Sequence, residues 1–288
     1  MFDIIFVSDF FVEHIQGGAE LTSEALIQSS PYKIEKVQSS HIDFPFVQEN
    51  KEKFWIFGNF AHLDERIKLQ FIKNMNYSIV EYDYKYCRLR SEDIHKIYEG
   101  ECNCEREHVG KINSLFFKNA KSVWWMSKKQ MDFYHHIFPF LEGESNNVLS
   151  SVFSKATIDE ISNIDTKNKS DKWIILNSPS PIKNVNATIE YAKMNDLEFE
   201  LVWGLKYGDL LKKLGSSKGL VFLPQGKDTC PRITIEAKLL DCELVLNENV
   251  QHKDEPWFKT KESILNHLST RTEKFWKGIE RNVECLEF

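Results

Sequence analysis

Asp228 and Glu236 are two carboxylates separated by seven residues, and they bracket the start of one helix within the stretch Val221 to Glu248. That stretch reads as strand, phosphate-sized turn, helix and strand. Pro231 suits a first helical turn, where its missing N–H is no loss. The unpaired N–H groups of such a turn point back toward the end of the preceding strand, and the helix dipole favours an anion there. Ligands of open α/β sheets bind beyond the carboxyl ends of the strands. A phosphate or diphosphate is therefore expected beside Asp228, Thr229 and Cys230. The alternative is an ordinary βαβ turn carrying two surface acids.

The elements that must hold these residues show as short apolar runs: DIIFVS, KFWIFGN, YSIVEYD, KSVWWMS, NNVLSS, KWIILNS, EFELVWG, KGLVFLP and CELVLNE. Most are followed by a segment of helical length, which argues for parallel sheets covered on both faces. At 288 residues the chain is long enough for two domains. A polar stretch free of aromatics at about 155–171 marks the boundary, so the expectation is 1–155 and 156–288. The tail carries Ile264, Leu268, Phe275, Ile279 and Val283 close to one helical face.

The stretch Val221 to Glu248 resembles the donor-site motif of retaining GT-B glycosyltransferases of the family-4-like type, the glycosyl transferases group 1. Their motif is Glu, seven residues, Glu and Ala; here it is Asp228, seven residues, Glu236 and Ala237. The resemblance implies two Rossmann-like domains facing across a cleft, with a C-terminal helix crossing back onto the first. It implies that Glu236 binds the ribose of a nucleotide sugar, that Asp228 sits beside the sugar, and that amides near Thr229 and Cys230 hold the diphosphate. Gly17 and Gly18, in GGAE, look like the family's glycine loop, which faces the cleft. Lys183 and Asn184 match a Lys-Asn pair that opens a helix; the resemblance implies that both bind the donor, with the Lys on the diphosphate. The Arg usual five residues earlier is Ser178 here, and Arg232 is the candidate to supply its charge. The segment from Tyr82 to Cys87 resembles one in which a strand runs into His-Asp-Tyr. Tyr82 stands at the His position, which leaves a hydrogen bond or stacking on the sugar, and Asp83 becomes the preferred polar contact from the first domain. Trp203 and Gly204 precede a loop that in the family lies close to the base.

Cys87, Cys102 and Cys104 lie near His95 and His108. Thiols and imidazoles suit zinc, but the spacing is not that of a standard finger. A metal site, a disulfide from Cys87 to one of the pair, and free thiols all remain open, and no metal ligand is assigned from sequence.

The expected activity is transfer of a sugar from a nucleotide donor, UDP- or GDP-linked, to a hydroxyl of a glycan, lipid-linked or small-molecule acceptor, with retention. Lys183, Arg232 and helix-start amides would stabilise the departing diphosphate, so no metal or cofactor is required. A net charge of −6 and the lack of a long basic run count against nucleic acid as partner. A glycosyltransferase acting on DNA bases is retained as an alternative, as is a non-catalytic nucleotide-sugar-binding partner protein. A two-domain sugar-phosphate epimerase would need its own acid–base set, and none is found. No apolar run approaches the length of a membrane span and no signal peptide is read, so a cytoplasmic location is expected, with contact to a membrane surface left open.

Overall fold

The computed structural model describes residues 3–143 and 145–284. In chain order its elements are β1 (Asp3–Ser8), α1 (Gly18–Gln28), β2 (Lys33–Gln38), α2 (Phe44–Glu49), β3 (Phe54–Phe57), α3 (Glu65–Asn74), β4 (Tyr77–Glu81), α4 (Glu92–Glu99), α5 (His108–Asn119), β5 (Ser122–Trp125), α6 (Lys128–Ile137) and β6 (Asn146–Val148). They continue as α7 (Lys155–Ser162), β7 (Trp173–Leu176), α8 (Val185–Met194), β8 (Phe199–Val202), α9 (Tyr207–Gly215), β9 (Gly219–Phe222), α10 (Arg232–Leu239), β10 (Glu243–Leu246), α11 (Lys261–Ser269) and α12 (Arg271–Glu284).

The strands form two sheets, one in the order β2-β1-β3-β4-β5-β6 and one in the order β10-β9-β7-β8. Every strand pair is parallel. Parallel strands buried on both faces read as unbroken apolar runs, and β3, β4 and β5 are buried along their whole length. Successive side chains point to opposite faces. Trp124 therefore packs on Phe275 of α12 at 5.0 Å between ring centres, while Trp125 packs on Tyr134 of α6 at 4.6 Å.

The nine apolar runs each supply one strand, and the structure adds a tenth, β2. Its sequence, KIEKVQ, is charged and only partly buried because it is an edge strand paired on one side to β1. Charges protect such an edge from pairing with another chain, and they mask it in the sequence. The tail divides into two helices. Thr270 closes α11 by donating its hydroxyl to the His267 carbonyl at 2.9 Å, and α12 begins at the next residue, Arg271. Trp276 donates its indole N–H to the Leu26 carbonyl at 3.0 Å, and Asn282 donates to Ser122 Oγ at 2.9 Å, so α12 lies across the first sheet. A Cβ on Gly278 would stand 2.5 Å from the Trp124 ring, which is why the crossing takes a glycine there. No helix among the described residues is long and apolar enough to cross a membrane.

Two histidines are built into the second half as neutral rings. Trp257 lies between them, stacked on His252 at 5.3 Å and on His267 at 4.3 Å. Burial pushes both down to about 3. An unfolded chain binds protons at these sites near pH 6.5 and the folded chain does not. The stability they contribute is complete above that pH and drains away as pH falls toward 3, by at most about 1.4 kcal/mol per pH unit for each ring. Urea unfolding midpoints should therefore decline steadily from pH 7 to pH 5, with a shallower decline in His252→Gln; identical slopes in the two proteins would contradict this.

Candidate active site

Both sheets change winding direction once, and those two points define the site. In the second sheet β7 leads to β8 on one side while β9 leads to β10 on the other, so the switch lies between β7 and β9. A crevice opens beyond the carboxyl ends of two such strands. Lys183 follows β7 and Asp228 follows β9, and the Lys183 ammonium pairs with the Asp228 carboxylate across that crevice. In the first sheet the switch lies between β1 and β3, and the Gly17–Gly18 loop that follows β1 faces the same space.

The result is a cavity of about 590 Å³ between the sheets. Gly17, Gly18, Tyr82, Lys183, Asp228, Thr229, Cys230, Arg232 and Glu236 all line it. Leu176, Val202, Trp203 and Leu205 form an apolar wall at one side. Gly204 turns the chain there with φ +68, a conformation that glycine adopts without strain.

Lys183 ends a short 3-10 turn, Pro181–Lys183, and its ammonium lies over the Phe222 ring at 5.2 Å. Asn184, expected to touch the donor, does not line the cavity. It occupies the left-handed region at φ 51, ψ 50, as asparagine tolerates, and its carbonyl accepts both the N–H and the hydroxyl of Thr188. It turns the chain so that Lys183 projects inward.

Asp228 is held in place by its backbone, which donates to the Asn249 carbonyl at 2.8 Å and accepts from the Gln251 N–H at 3.1 Å. Thr229 donates its hydroxyl to the Tyr82 carbonyl at 2.7 Å, so its side chain ties the two halves together. The Cys230 carbonyl accepts from Ser151 Oγ at 2.7 Å, and its sulfur accepts from the Ser151 N–H at 3.3 Å. Burial pushes this thiol up to about 12, so it stays protonated and is not a nucleophile at neutral pH.

Arg232 and Glu236 form the floor. They stand one turn apart on α10, with Arg232 Nε 3.4 Å from Glu236 Oε1, and both are almost wholly buried. The same carboxylate oxygen accepts from the Tyr207 hydroxyl at 2.8 Å. Arg232 donates from Nη1 to the Val152 carbonyl, and its guanidinium stacks on Phe153 with 3.7 Å to the ring centre. Burial raises the Glu236 pKa, and the Arg232 charge and the Tyr207 hydrogen bond oppose that rise. Gly18 lies against the Arg232 stem; a Cβ there would stand 3.6 Å from Arg232 Cδ. Tyr207 was not legible in the sequence, because it opens α9 with no motif of its own.

On the first-domain side, Tyr82 lines the cavity, and its hydroxyl shares a hydrogen bond with Ser23 Oγ at 2.7 Å. Burial raises its pKa well above that of an exposed phenol, so it acts as a neutral hydroxyl. Asp83 does not line the cavity. Its carboxylate is taken up by Arg90, 2.6 Å from Nε, and by Lys85 at 3.3 Å, and Lys85 also pairs with buried Glu81 at 2.8 Å. Those cations hold Asp83 below the usual carboxylate range against the opposing effect of burial. Its role here is to fix the loop after β4.

This arrangement is the GT-B fold, two Rossmann-like sheets facing across a cleft. Solved structures with the same fold match nearly the whole chain. Trehalose-6-phosphate synthase OtsA superposes with a TM-score of 0.59 at 8% identity over 99% of this chain and 98% of that chain. HepE of Anabaena, solved with UDP and glucose, gives 0.53 at 11% identity over 100% and 99%. An α-glucosyltransferase solved with UDP-glucose and DNA gives 0.50 at 9% identity over 99% and 94%. No protein-family model matches the sequence, and no curated protein matches it.

The two ion pairs should respond differently to loss of a partner. Lys183→Ala removes a partly exposed pair and should change stability by no more than about 1 kcal/mol. Arg232→Ala strands a buried carboxylate and should cost about 3–5 kcal/mol. Urea denaturation of the two variants tests this, and equal losses would contradict the assignment.

Proposed function

We propose that the protein is a glycosyltransferase that moves a sugar from a nucleotide-sugar donor to an acceptor hydroxyl with retention of configuration. The observation that carries this reading is the convergence of Lys183, Asp228, Arg232, Glu236 and the Gly17–Gly18 loop on one cavity at the strand ends. Each group has a role in such a reaction. Glu236, oriented by Arg232 and Tyr207, accepts from the ribose hydroxyls. The apolar wall of Leu176, Val202, Trp203 and Leu205 takes the base. Lys183 stabilises the charge developing on the diphosphate as the glycosidic bond breaks, together with the amides that open α10. Asp228, released from Lys183 when the phosphates arrive, accepts from the sugar hydroxyls.

Retention is favoured by the state of the two carboxylates. Glu236 stays tied to Arg232, and Asp228 is engaged by the sugar hydroxyls once the donor is bound, so neither is a free base for an incoming hydroxyl. A leaving phosphate held beside Lys183 can itself take that proton, on the face of the sugar from which the phosphate departs. Arg232 supports the site from below by holding Glu236, and its positive charge adds to the field at the diphosphate.

UDP- and GDP-sugars are the first donors to test, with glycans, lipid-linked glycans and small metabolites as acceptors. A DNA acceptor, as in the α-glucosyltransferase complex, is disfavoured. The cations around the cleft (Lys183, Arg232, Lys227 and Arg90) are each paired with an acid and form no free basic stripe among the described residues.

Calorimetric titration with UDP-, GDP-, ADP-, CDP- and dTDP-sugars should yield one nucleotide class that binds, and Glu236→Gln should weaken that binding. Slow release of sugar should accompany it, and Lys183→Ala should reduce turnover about 10²-fold or more. Binding without turnover over a broad acceptor set would sink the enzyme reading in favour of a nucleotide-sugar-binding partner. Absence of binding to every donor would remove the nucleotide-sugar reading altogether.

A further inference from the structure

The loop between β4 and α5 carries a second cluster of chemistry that the cavity does not use. Cys87 lies in the turn after β4, His95 in α4, and Cys102 and Cys104 in the segment that leads to α5. Their sulfur and nitrogen atoms all lie within 4.8 Å of one another, and all four residues are buried. His95 Nδ1 is 3.3 Å from Cys87 Sγ and 3.4 Å from Cys104 Sγ, and Cys102 Sγ is 3.8 Å from Cys87 Sγ. A tetrahedral zinc with Zn–S of about 2.3 Å and Zn–N of about 2.0–2.1 Å sets S···S edges of about 3.8 Å and S···N edges of about 3.6 Å. Three of the six edges thus already stand near the lengths a zinc ion would impose.

The surroundings are those of a metal site. The other ring nitrogen of His95 faces Glu99 Oε2 at 3.6 Å, one turn along α4, and Glu99 accepts from Arg88 Nη1 at 2.9 Å. A carboxylate behind a ligating histidine selects the tautomer that offers its other nitrogen to the metal. Gly110 of α5 lets the chain close on this point, because a Cβ there would collide with the Cys104 carbonyl. The three cysteines are unbonded to one another.

We propose that Cys87, His95, Cys102 and Cys104 bind one structural zinc ion. Four protein ligands leave no open coordination position, so the ion would hold the chain and take no part in bond making. What it would hold is α4. Asp93, in the first turn of that helix, accepts from the Lys227 N–H at 2.8 Å and pairs with its ammonium at 2.9 Å, and Lys227 directly precedes Asp228. The zinc would thereby fix a brace from the first sheet to the turn that carries Asp228.

Elemental analysis of the full chain, purified under reducing conditions without chelator, should find about one zinc per chain. Exchange for cobalt should produce the intense visible bands of a tetrahedral site and a thiolate charge-transfer band in the near ultraviolet. Both should be lost in Cys104→Ser and His95→Ala and kept in Cys242→Ser. Stripping with a strong chelator should expose three further reactive thiols and lower the unfolding midpoint, and zinc should reverse both effects. A metal-free protein whose cobalt spectrum is octahedral, or a Cys87–Cys102 disulfide found by mass spectrometry in the freshly purified chain, would overturn the proposal. Neither depends on a variant that folds, nor on donor binding.

Discussion

The buried ion pair of Arg232 and Glu236 is the constraint around which the cleft is built. Taking two charges out of water costs several kcal/mol for each, and their mutual attraction compensates only when the remaining donors and acceptors are also satisfied. The partners here come from different parts of the chain: the Val152 carbonyl, the Phe153 ring and the Tyr207 hydroxyl. Val152 and Phe153 lie just beyond the last strand of the first sheet, while Tyr207 opens a helix of the second half. These partners surround the pair only when the two halves meet in this one arrangement, and Arg232 Nε is left with the ion-pair contact alone.

The connections between the halves follow the same logic. Thr229 and Cys230, immediately before α10, are bound to Tyr82 and Ser151 of the first half. Gln251 reaches across to Ser127 and Tyr84, and Lys227 reaches across to Asp93. Helix α12 completes the set by packing Phe275 and Trp276 on the first sheet and α1. The turn that carries Asp228 is thus gripped from several directions, while Lys183 approaches it from the second sheet alone.

Much of the site was legible because it is local. Asp228, Thr229, Cys230, Arg232 and Glu236 fall within one strand–turn–helix unit, where spacing along the chain nearly determines spacing in space. Gly17, Gly18 and Lys183 were legible through the resemblance of GGAE and of the Lys-Asn pair to the family's motifs. Asp83, the polar contact expected from the first domain, and Asn184, expected at the donor, do not line the cavity, and each holds a loop. Whether an Asp is free to meet a ligand depends on which cations reach it, and Arg90 and Lys85 both reach Asp83. Strand β2 escaped notice because an edge strand lacks the apolar run that reveals buried ones, and the break at Thr270 did so because both tail helices share an apolar face.

The sequence by itself determined the alternation of strands and helices, the parallel class of both sheets, and the carboxylate pair on either side of the start of α10. Those features rest on periodicity and on contacts within a few residues, which the order of side chains dictates directly. Tertiary structure alone decided that Lys183 meets Asp228, that Arg232 is spent on Val152 and Glu236, and that three cysteines and a histidine converge to within 4.8 Å. Each of these needs segments distant in sequence to arrive together. Their arrival is governed by the packing of whole sheets and the path of loops, which no local spacing encodes.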